Sequence, residues 1–301
     1  MDLTSKFKSM VCSLCPRQCG AVRDETHGEG WCRLPMGLMV ARAALHMWEE
    51  PCISGTNGAG TVFFSGCTLG CVFCQNRAIS HERFGKLVTA DELYAIFEKL
   101  AAQGAHNIEL VTPTQYTHEL IELLKRPMPG NLPVVWNSGG YERDTVLRGL
   151  EGKVDIYLPD LKYVTPALAE KYSRAANYPE AAKAAILEMY RQRGPVRFEG
   201  DLLKSGVVIR HLILPGQLAE ARRVMDWVAE SFPAGAVLFS LMAQYTPVGD
   251  LGDYPELNRT LRASELRAAG EYMAALGLQG YVQELESVGE GFIPAFDLTG
   301  V

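Results

Sequence analysis

Cys67, Cys71 and Cys74 stand in the spacing C-x3-C-x2-C within the run Gly66-Cys67-Thr68-Leu69-Gly70-Cys71-Val72-Phe73-Cys74. Thiolate is the ligand type that iron–sulfur clusters select, so three of them can hold three irons of a 4Fe-4S cluster and leave the fourth iron open for chemistry. A zinc knuckle or three buried core thiols would use the same residue type. Against these, a fourth ligand is missing nearby, and the apolar run Thr61-Val62-Phe63-Phe64-Ser65 reads as a buried strand feeding a tight loop.

Cys12, Cys15, Cys19 and Cys32 form a second group among Gly and Pro, with little apolar periodicity. Such a segment cannot build a core alone, so a bound metal is expected to supply its folding free energy. The C-x2-C pair fits tetrahedral zinc. Three cysteines close together and a distant fourth also fit an auxiliary iron–sulfur cluster, and spacing does not decide between them. His27 could replace one thiolate, although a loop histidine is more often solvated. Cys52, left over, reads as a small hydrophobe or linker residue.

Asp160-Leu161-Lys162 puts an acid and a base two residues apart, on one side of the pleat at a strand end. Lys162 could bind a carboxylate as a compact cation. Asp160 could bind a hydroxyl, a cation or Lys162 itself, and a plain surface ion pair is the alternative.

These residues need a scaffold, and the pattern from Thr61 onward repeats strand, loop and helix. Strands are expected at 61–65, 107–111, 132–136, 154–158, 207–214 and 237–242, with helices between them and a last one at 264–276. Thr89-Ala90-Asp91-Glu92 has the capping-box form and opens a helix stopped by Gly104. Short apolar strands alternating with helices imply a parallel sheet with right-handed crossovers. The fold class is therefore α/β, a partial (β/α)6 TIM-like barrel of parallel strands with an N-terminal Cys-rich metal module. The expected organisation is residues 1–60 as that module and a lead-in linker, 61–285 as the barrel, and 286–301 as a C-terminal tail.

In such sheets the working groups project from the strands' carboxyl ends. The cysteine loop lies there, as do Thr112 and Thr114 after the second strand, Asn137 and Ser138 after the third, Asp160 and Lys162 after the fourth, and Gln244 and Tyr245 after the sixth. Arg210 and His211 alternate on the fifth strand, so at most one points inward. Asp250, Asp253 and Glu256 could line a substrate mouth but read better as solvated loop residues, as do Glu284, Glu286 and Glu290. Residues 289–301 could cover the barrel's open edge. His46 and Trp48 read as packing residues.

Cys67, Cys71, Phe73 and Cys74 match CxxxCx(aromatic)C, and in this the chain resembles the radical S-adenosylmethionine (SAM) superfamily. The resemblance implies a 4Fe-4S cluster whose open iron binds the amino and carboxylate groups of SAM and whose electron cleaves it to methionine and a 5'-deoxyadenosyl radical for hydrogen abstraction. It further implies that Phe73 packs the adenine, that Lys162 and Asp160 help fix SAM, and that Thr112, Thr114, Asn137 and Ser138 are SAM contacts. Asp-Leu-Lys after the fourth strand and Pro215-Gly216 after the fifth are similar to activating enzymes of glycyl-radical enzymes, such as the pyruvate formate-lyase activating enzyme. Thr112-Pro113-Thr114 replaces their Gly-Gly-Glu, which contacts the SAM amine. With Cys-x2-Cys-Pro-Arg-x-Cys and Arg-His-Leu-Ile-Leu-Pro-Gly, the chain looks like the PflX-like branch of that group. Implied partners are an electron donor of flavodoxin or ferredoxin type and a glycyl-radical enzyme or peptide substrate. Modification of a small molecule is the alternative, and a non-catalytic iron–sulfur electron carrier is the rival from another class.

The 301 residues are 48% apolar and 21% charged, ordinary for a globular protein, and suffice for a substantial core. A net charge of -6 with scattered Lys and Arg gives no footprint for nucleic acid. The start lacks the apolar core of a signal peptide and no apolar run reaches membrane-spanning length, so we expect a cytoplasmic protein with no membrane partner. Eight cysteines in such a chain argue for metal or redox chemistry, with activity confined to anaerobic or strongly reducing conditions.

Overall fold

Residues 9–283 and 294–301 are described by the structure, a computed structural model. The strands are β1 (Ser9–Val11), β2 (Val22–Asp24), β3 (Leu38–His46), β4 (Ala59–Phe64), β5 (Lys86–Val88), β6 (Ile108–Val111), β7 (Val134–Ser138), β8 (Ile156–Pro159), β9 (Arg197–Glu199), β10 (Leu202–Leu212), β11 (Leu238–Met242) and β12 (Gly280–Val282). The helices are α1 (Pro51–Ser54), α2 (Arg77–Ser80), α3 (Ala90–Ala102), α4 (Thr117–Leu123), α5 (Asp144–Leu147), α6 (Pro166–Ser173), α7 (Tyr178–Arg193), α8 (Leu218–Ser231) and α9 (Ala263–Ala275).

One sheet organises the chain, in the order β12-β11-β10-β8-β7-β6-β4-β3-β5, with β9 paired to β10. Along that path every pairing from β4 to β12 is parallel, and β9 runs antiparallel to β10. β3 runs antiparallel to β4, and β5 antiparallel to β3. Among the described residues β12 and β5 remain the two ends of the path, so the barrel is partial. The six expected parallel strands are present. β12 adds a short seventh, too brief and too glycine-rich to show a period: a Cβ on Gly280 would collide with the backbone of Phe239 in β11.

The strands read as apolar runs because both their faces are covered. All residues of β4 and β7 are buried. α8 closes one outer face with Ala221, Val224, Met225 and Val228, an i, i+3, i+4, i+7 stripe whose larger members each contribute about 2 kcal/mol by burial. α3 begins as its sequence demands: Thr89 Oγ1 accepts the Glu92 N–H at 3.2 Å while Glu92 Oε2 accepts the Thr89 N–H at 2.7 Å.

The lead-in segment is β3, which joins the sheet beside β4, and the turn-rich stretch after it contains α1. Residues 294–301 lie along β3: Ala41 O accepts the Leu298 N–H at 3.1 Å and Thr299 O the Ala43 N–H at 2.8 Å. Phe296 packs edge-on against Phe63, with ring centroids 5.6 Å apart. Glu284, Glu286 and Glu290, and the part of the tail from 289 to 293, lie outside the described residues.

Candidate active site

The parallel pairing brings the strand ends level. Val111 pairs with Asn137, Ser138 with Pro159, and Arg210 with Ser240, while Asp160 bridges Arg210. Gly140 lets the loop after β7 turn tightly over β8, since its φ is +73° and a Cβ there would collide with Asp160 O. The result is one cavity of about 760 Å³ inside the barrel. Cys67, Cys71 and Cys74 line it, together with Phe73, Thr112, Thr114, Asn137, Ser138, Asp160 and Lys162, so every residue expected at the cluster and around SAM faces one space.

Ser173 Oγ donates to Cys71 Sγ at 2.9 Å, Ser80 Oγ to Cys74 Sγ at 3.3 Å, and the Leu69 N–H to Cys67 Sγ at 3.3 Å. Burial pushes the Cys71 thiol up to about 12, with Cys67 and Cys74 adding to the rise and Lys162 opposing it. Burial also raises Cys74, with Cys67 adding. Thiols so placed hold their protons until a cationic centre displaces them. Among the described residues no three Cys, His, Asp or Glu groups gather around a single ion. Cys67, Cys71 and Cys74, which line one cavity and each have a donor to the sulfur, would hold a 4Fe-4S cluster rather than a single ion.

Lys162 Nζ lies 2.6 Å from Asp160 Oδ2, and Arg210 Nε 3.1 Å from Asp160 Oδ1. Burial pushes the Asp160 carboxyl up, but Lys162 and Arg210 overcome it and hold it below the usual range. Burial alone would lower Lys162, whereas Asp160 and Cys71 raise it, so the ammonium stays charged. This pair is half-buried in the cavity wall, with 18% and 13% of the two side chains exposed, and is not the surface alternative.

Residues 61–228 match the Radical SAM superfamily, more than half of the chain. The chain belongs to the radical SAM superfamily. An uncharacterized protein of Methanocaldococcus jannaschii is 29% identical over 271 residues, which cover 86% of this chain and 73% of that one. The Streptococcus suis SuiB structure superimposes with a TM-score of 0.51 at 13% identity, covering 75% of this chain but only 48% of its own. A domain of the pyruvate-formate lyase-activating enzyme of Bacteroides vulgatus gives a TM-score of 0.41 at 15% identity, covering 60% of this chain and all of that domain.

The radical SAM cavity also holds charges that the motifs do not announce. Arg210 faces inward, donating through Nη1 to Glu49 Oε2 at 3.0 Å and through Nη2 to Asn137 Oδ1 at 2.6 Å. His211 faces away, with Nδ1 2.7 Å from Leu161 O. Asn137 Nδ2 donates to Glu109 Oε1 at 2.7 Å, and Thr61 Oγ1 to Glu109 Oε2 at 2.9 Å. Burial, then Glu49, pushes Glu109 well above the usual carboxylate range. A glutamate inside the apolar run Ile108–Val111 was the signal available for this network. Glu49 and Glu50 carried none, because they sit in a segment that reads as linker.

His46 and Trp48 line the cavity, as do Gln244 and Tyr245. Phe73 meets Tyr172 and Tyr245 edge-on at 6.4 and 6.2 Å. Asp250, Asp253 and Glu256 do not line it. Glu256 instead binds Lys171 and the Tyr172 hydroxyl, each at 2.7 Å.

The N-terminal cysteines come together in part. Cys12 is buried, Cys15 and Cys32 half-buried, and Cys19 exposed. Burial pushes Cys15 up to about 11, and Cys12, Cys32 and Cys19 all add to the rise, which places the four within electrostatic reach. His27 is exposed, with its backbone N–H on Asp24. Cys52 is buried beneath the cavity's Glu50 end, away from both groups.

Proposed function

We propose that this chain is a radical SAM enzyme that abstracts hydrogen from a carbon centre of a substrate admitted to the 760 Å³ cavity. The observation that carries the reading is that Cys67, Cys71 and Cys74 share this one cavity with the half-buried Asp160–Lys162 pair. Bound to the three thiolates, a 4Fe-4S cluster supplies the electron that cleaves SAM to methionine and a 5'-deoxyadenosyl radical.

The chain's own residues bind and orient. Lys162, charged and with one proton engaged by Asp160, keeps donors free for the SAM carboxylate. Asp160 holds that ammonium in place from one side while Arg210 fixes Asp160 from the other. Phe73, held edge-on by two tyrosines, presents an apolar wall for the adenine. Asn137 and Ser138 offer polar groups at the level of Asp160, and Thr112 and Thr114 occupy the loop where the related activating enzymes carry Gly-Gly-Glu. An electron carrier has no use for a cavity of this size and charge.

Within this activity, a small molecule or a peptide side chain fits the cavity. Formation of a glycyl radical on a partner protein is the second reading, favoured by Asp160-Leu161-Lys162 and Pro215-Gly216. The reductant would be of flavodoxin or ferredoxin type. The four N-terminal thiols would hold zinc or an auxiliary cluster.

Electron paramagnetic resonance on anaerobically reconstituted, reduced protein tests the reading. SAM is expected to perturb a 4Fe-4S signal in wild type and not in a variant with Cys67, Cys71 and Cys74 all changed to Ala. A spectrum indifferent to SAM would sink the catalytic assignment. Many turnovers without a protein radical would favour a small molecule, and stoichiometric SAM use with a persistent radical on the partner would favour glycyl-radical formation.

A further inference from the structure

Acidic groups outnumber cations around Arg210. Four carboxyl groups, Asp160, Glu49, Glu50 and Glu109, surround the single guanidinium of Arg210. Lys162 is the other cation of this group, and it is committed to Asp160. Burial pushes both Glu49 and Glu109 up, and Arg210 opposes the rise in each.

Of these four acids, Glu50 is the one that leaves a buried oxygen unpartnered. It lines the cavity, is only 8% exposed, and its Oε2 has no hydrogen-bond partner. Burial pushes its carboxyl up, Arg210 and a hydrogen bond from Ser240 oppose the rise, and Glu49 adds to it, so a cation arriving beside it would favour its ionised form. A buried acceptor without a donor costs about 1–3 kcal/mol, more when charged, so such an atom is poised for a donor that arrives with a ligand. His46 does not supply it: its Nε2 lies 4.0 Å from Glu49 Oε1, and burial, then Arg42, lowers the imidazole, so it adds no cation here. Trp48 and Tyr281 line the cavity too, and aromatic faces beside a carboxylate are the surroundings in which an organic cation is held. A metal ion would need several anionic groups around one point, which the described residues do not provide here.

We propose that Glu50, backed by Ser240 and Glu49, binds an ammonium group on the substrate, so that the reacting molecule is a primary amine or carries one. This rests on the radical SAM reading of the same cavity and adds the class of molecule that enters it. Electrostatically, the amine would anchor at the Glu50 end, and the carbon to be attacked would lie between it and the cysteine loop.

The test is calorimetric titration of the reconstituted, SAM-loaded protein with n-butylammonium, n-butanol and potassium ion at fixed ionic strength. Saturable binding of n-butylammonium is expected, with none of n-butanol and no displacement by potassium. Glu50→Gln, which keeps the shape and the Ser240 hydrogen bond, is expected to weaken it by at least about tenfold, the loss of one charged hydrogen bond. Glu50→Asp, which keeps the charge, should retain most of the affinity, and circular dichroism melts verify that both variants are folded. Binding that is equal in Glu50→Gln, shared by n-butanol or abolished by potassium would overturn the proposal. The cluster signal of the same wild-type sample separates the two readings. If SAM perturbs it and the amine does not bind, only the amine site fails; if SAM does not perturb it, the enzyme reading fails first.

Discussion

Arg17 donates through Nε to the carbonyl of Thr68 at 2.6 Å, so the N-terminal cysteine segment grips the loop between Cys67 and Cys71. The same guanidinium reaches Leu69 O at 3.0 Å, Ser173 O at 3.1 Å and Arg174 O at 2.9 Å, and it stacks 3.6 Å over the Trp31 ring. A planar fork with five donors can satisfy four carbonyls at once; an ammonium cannot. Arg17→Lys is therefore expected to lower stability by about 2–4 kcal/mol despite keeping the charge. It should also release cluster iron to a chelator faster than wild type. Denaturant melts and the rate of iron release check both, and an unchanged release rate would show that the clamp does not hold the loop.

Asp160 sits between Lys162 and Arg210; neutralising it takes away the ion-pair partner of Lys162, while Arg210 keeps Glu49 at 3.0 Å. Asp160→Asn is expected to cost about 3–5 kcal/mol of stability, the penalty for breaking a buried pair from one side. SAM affinity should fall with it, since Lys162 loses the group that aims it. Unfolding in urea and SAM titration provide the two readouts. Stability unchanged within about 1 kcal/mol, the size of a surface pair, would mean that the network contributes no more than an exposed one.

How far these features could be read from the chain depends on how local each one is. The cysteine loop and Asp160-Leu161-Lys162 are contiguous, and strand ends fix their direction, so their convergence was legible. Alternation along the fifth strand established that Arg210 and His211 diverge; only the pairing of Asp160 with Arg210 decides which one enters the cavity. Glu109 is hidden by its apolar neighbours in β6, and its partner Glu49 is remote in sequence. Charge compensation across a barrel leaves no periodic trace. β12 escaped for a different reason, because three residues cannot establish a period and Gly280 has no side chain to bury.

If the four N-terminal thiols share a metal, they hold a segment that lacks a core of its own. Cys12→Ser with Cys15→Ser should then lose one class of metal, iron or zinc, while the signal from Cys67, Cys71 and Cys74 survives reconstitution. Metal analysis of this variant beside the triple alanine variant identifies each site's metal. The double variant is expected to melt several degrees lower, since metal binding there would be folding free energy. Full metal content with unchanged melting would count against a shared site.

His118 and Glu119, side by side on α4 with Nε2 3.6 Å from Oε1, respond to pH in opposite senses. Burial pushes Glu119 up to about 7 from 4.5, with Arg23 opposing. Between those values the native state keeps a proton that the unfolded chain has released, so this group's contribution falls as pH rises from 4.5 to 7. Burial, then Arg23, lowers His118 to about 4 from 6.5. There the unfolded chain binds the proton that the native state refuses, so stability is lost as pH falls from 6.5 to 4. The two slopes nearly cancel between 4.5 and 6.5 in wild type. Glu119→Gln removes only the first, so the variant should gain on wild type as pH rises, by on the order of 3 kcal/mol between pH 4.5 and 7.5. Urea unfolding of both proteins at several pH values measures the difference. A gap that stays constant with pH would show that Glu119 ionises in the native protein much as it does in the unfolded chain.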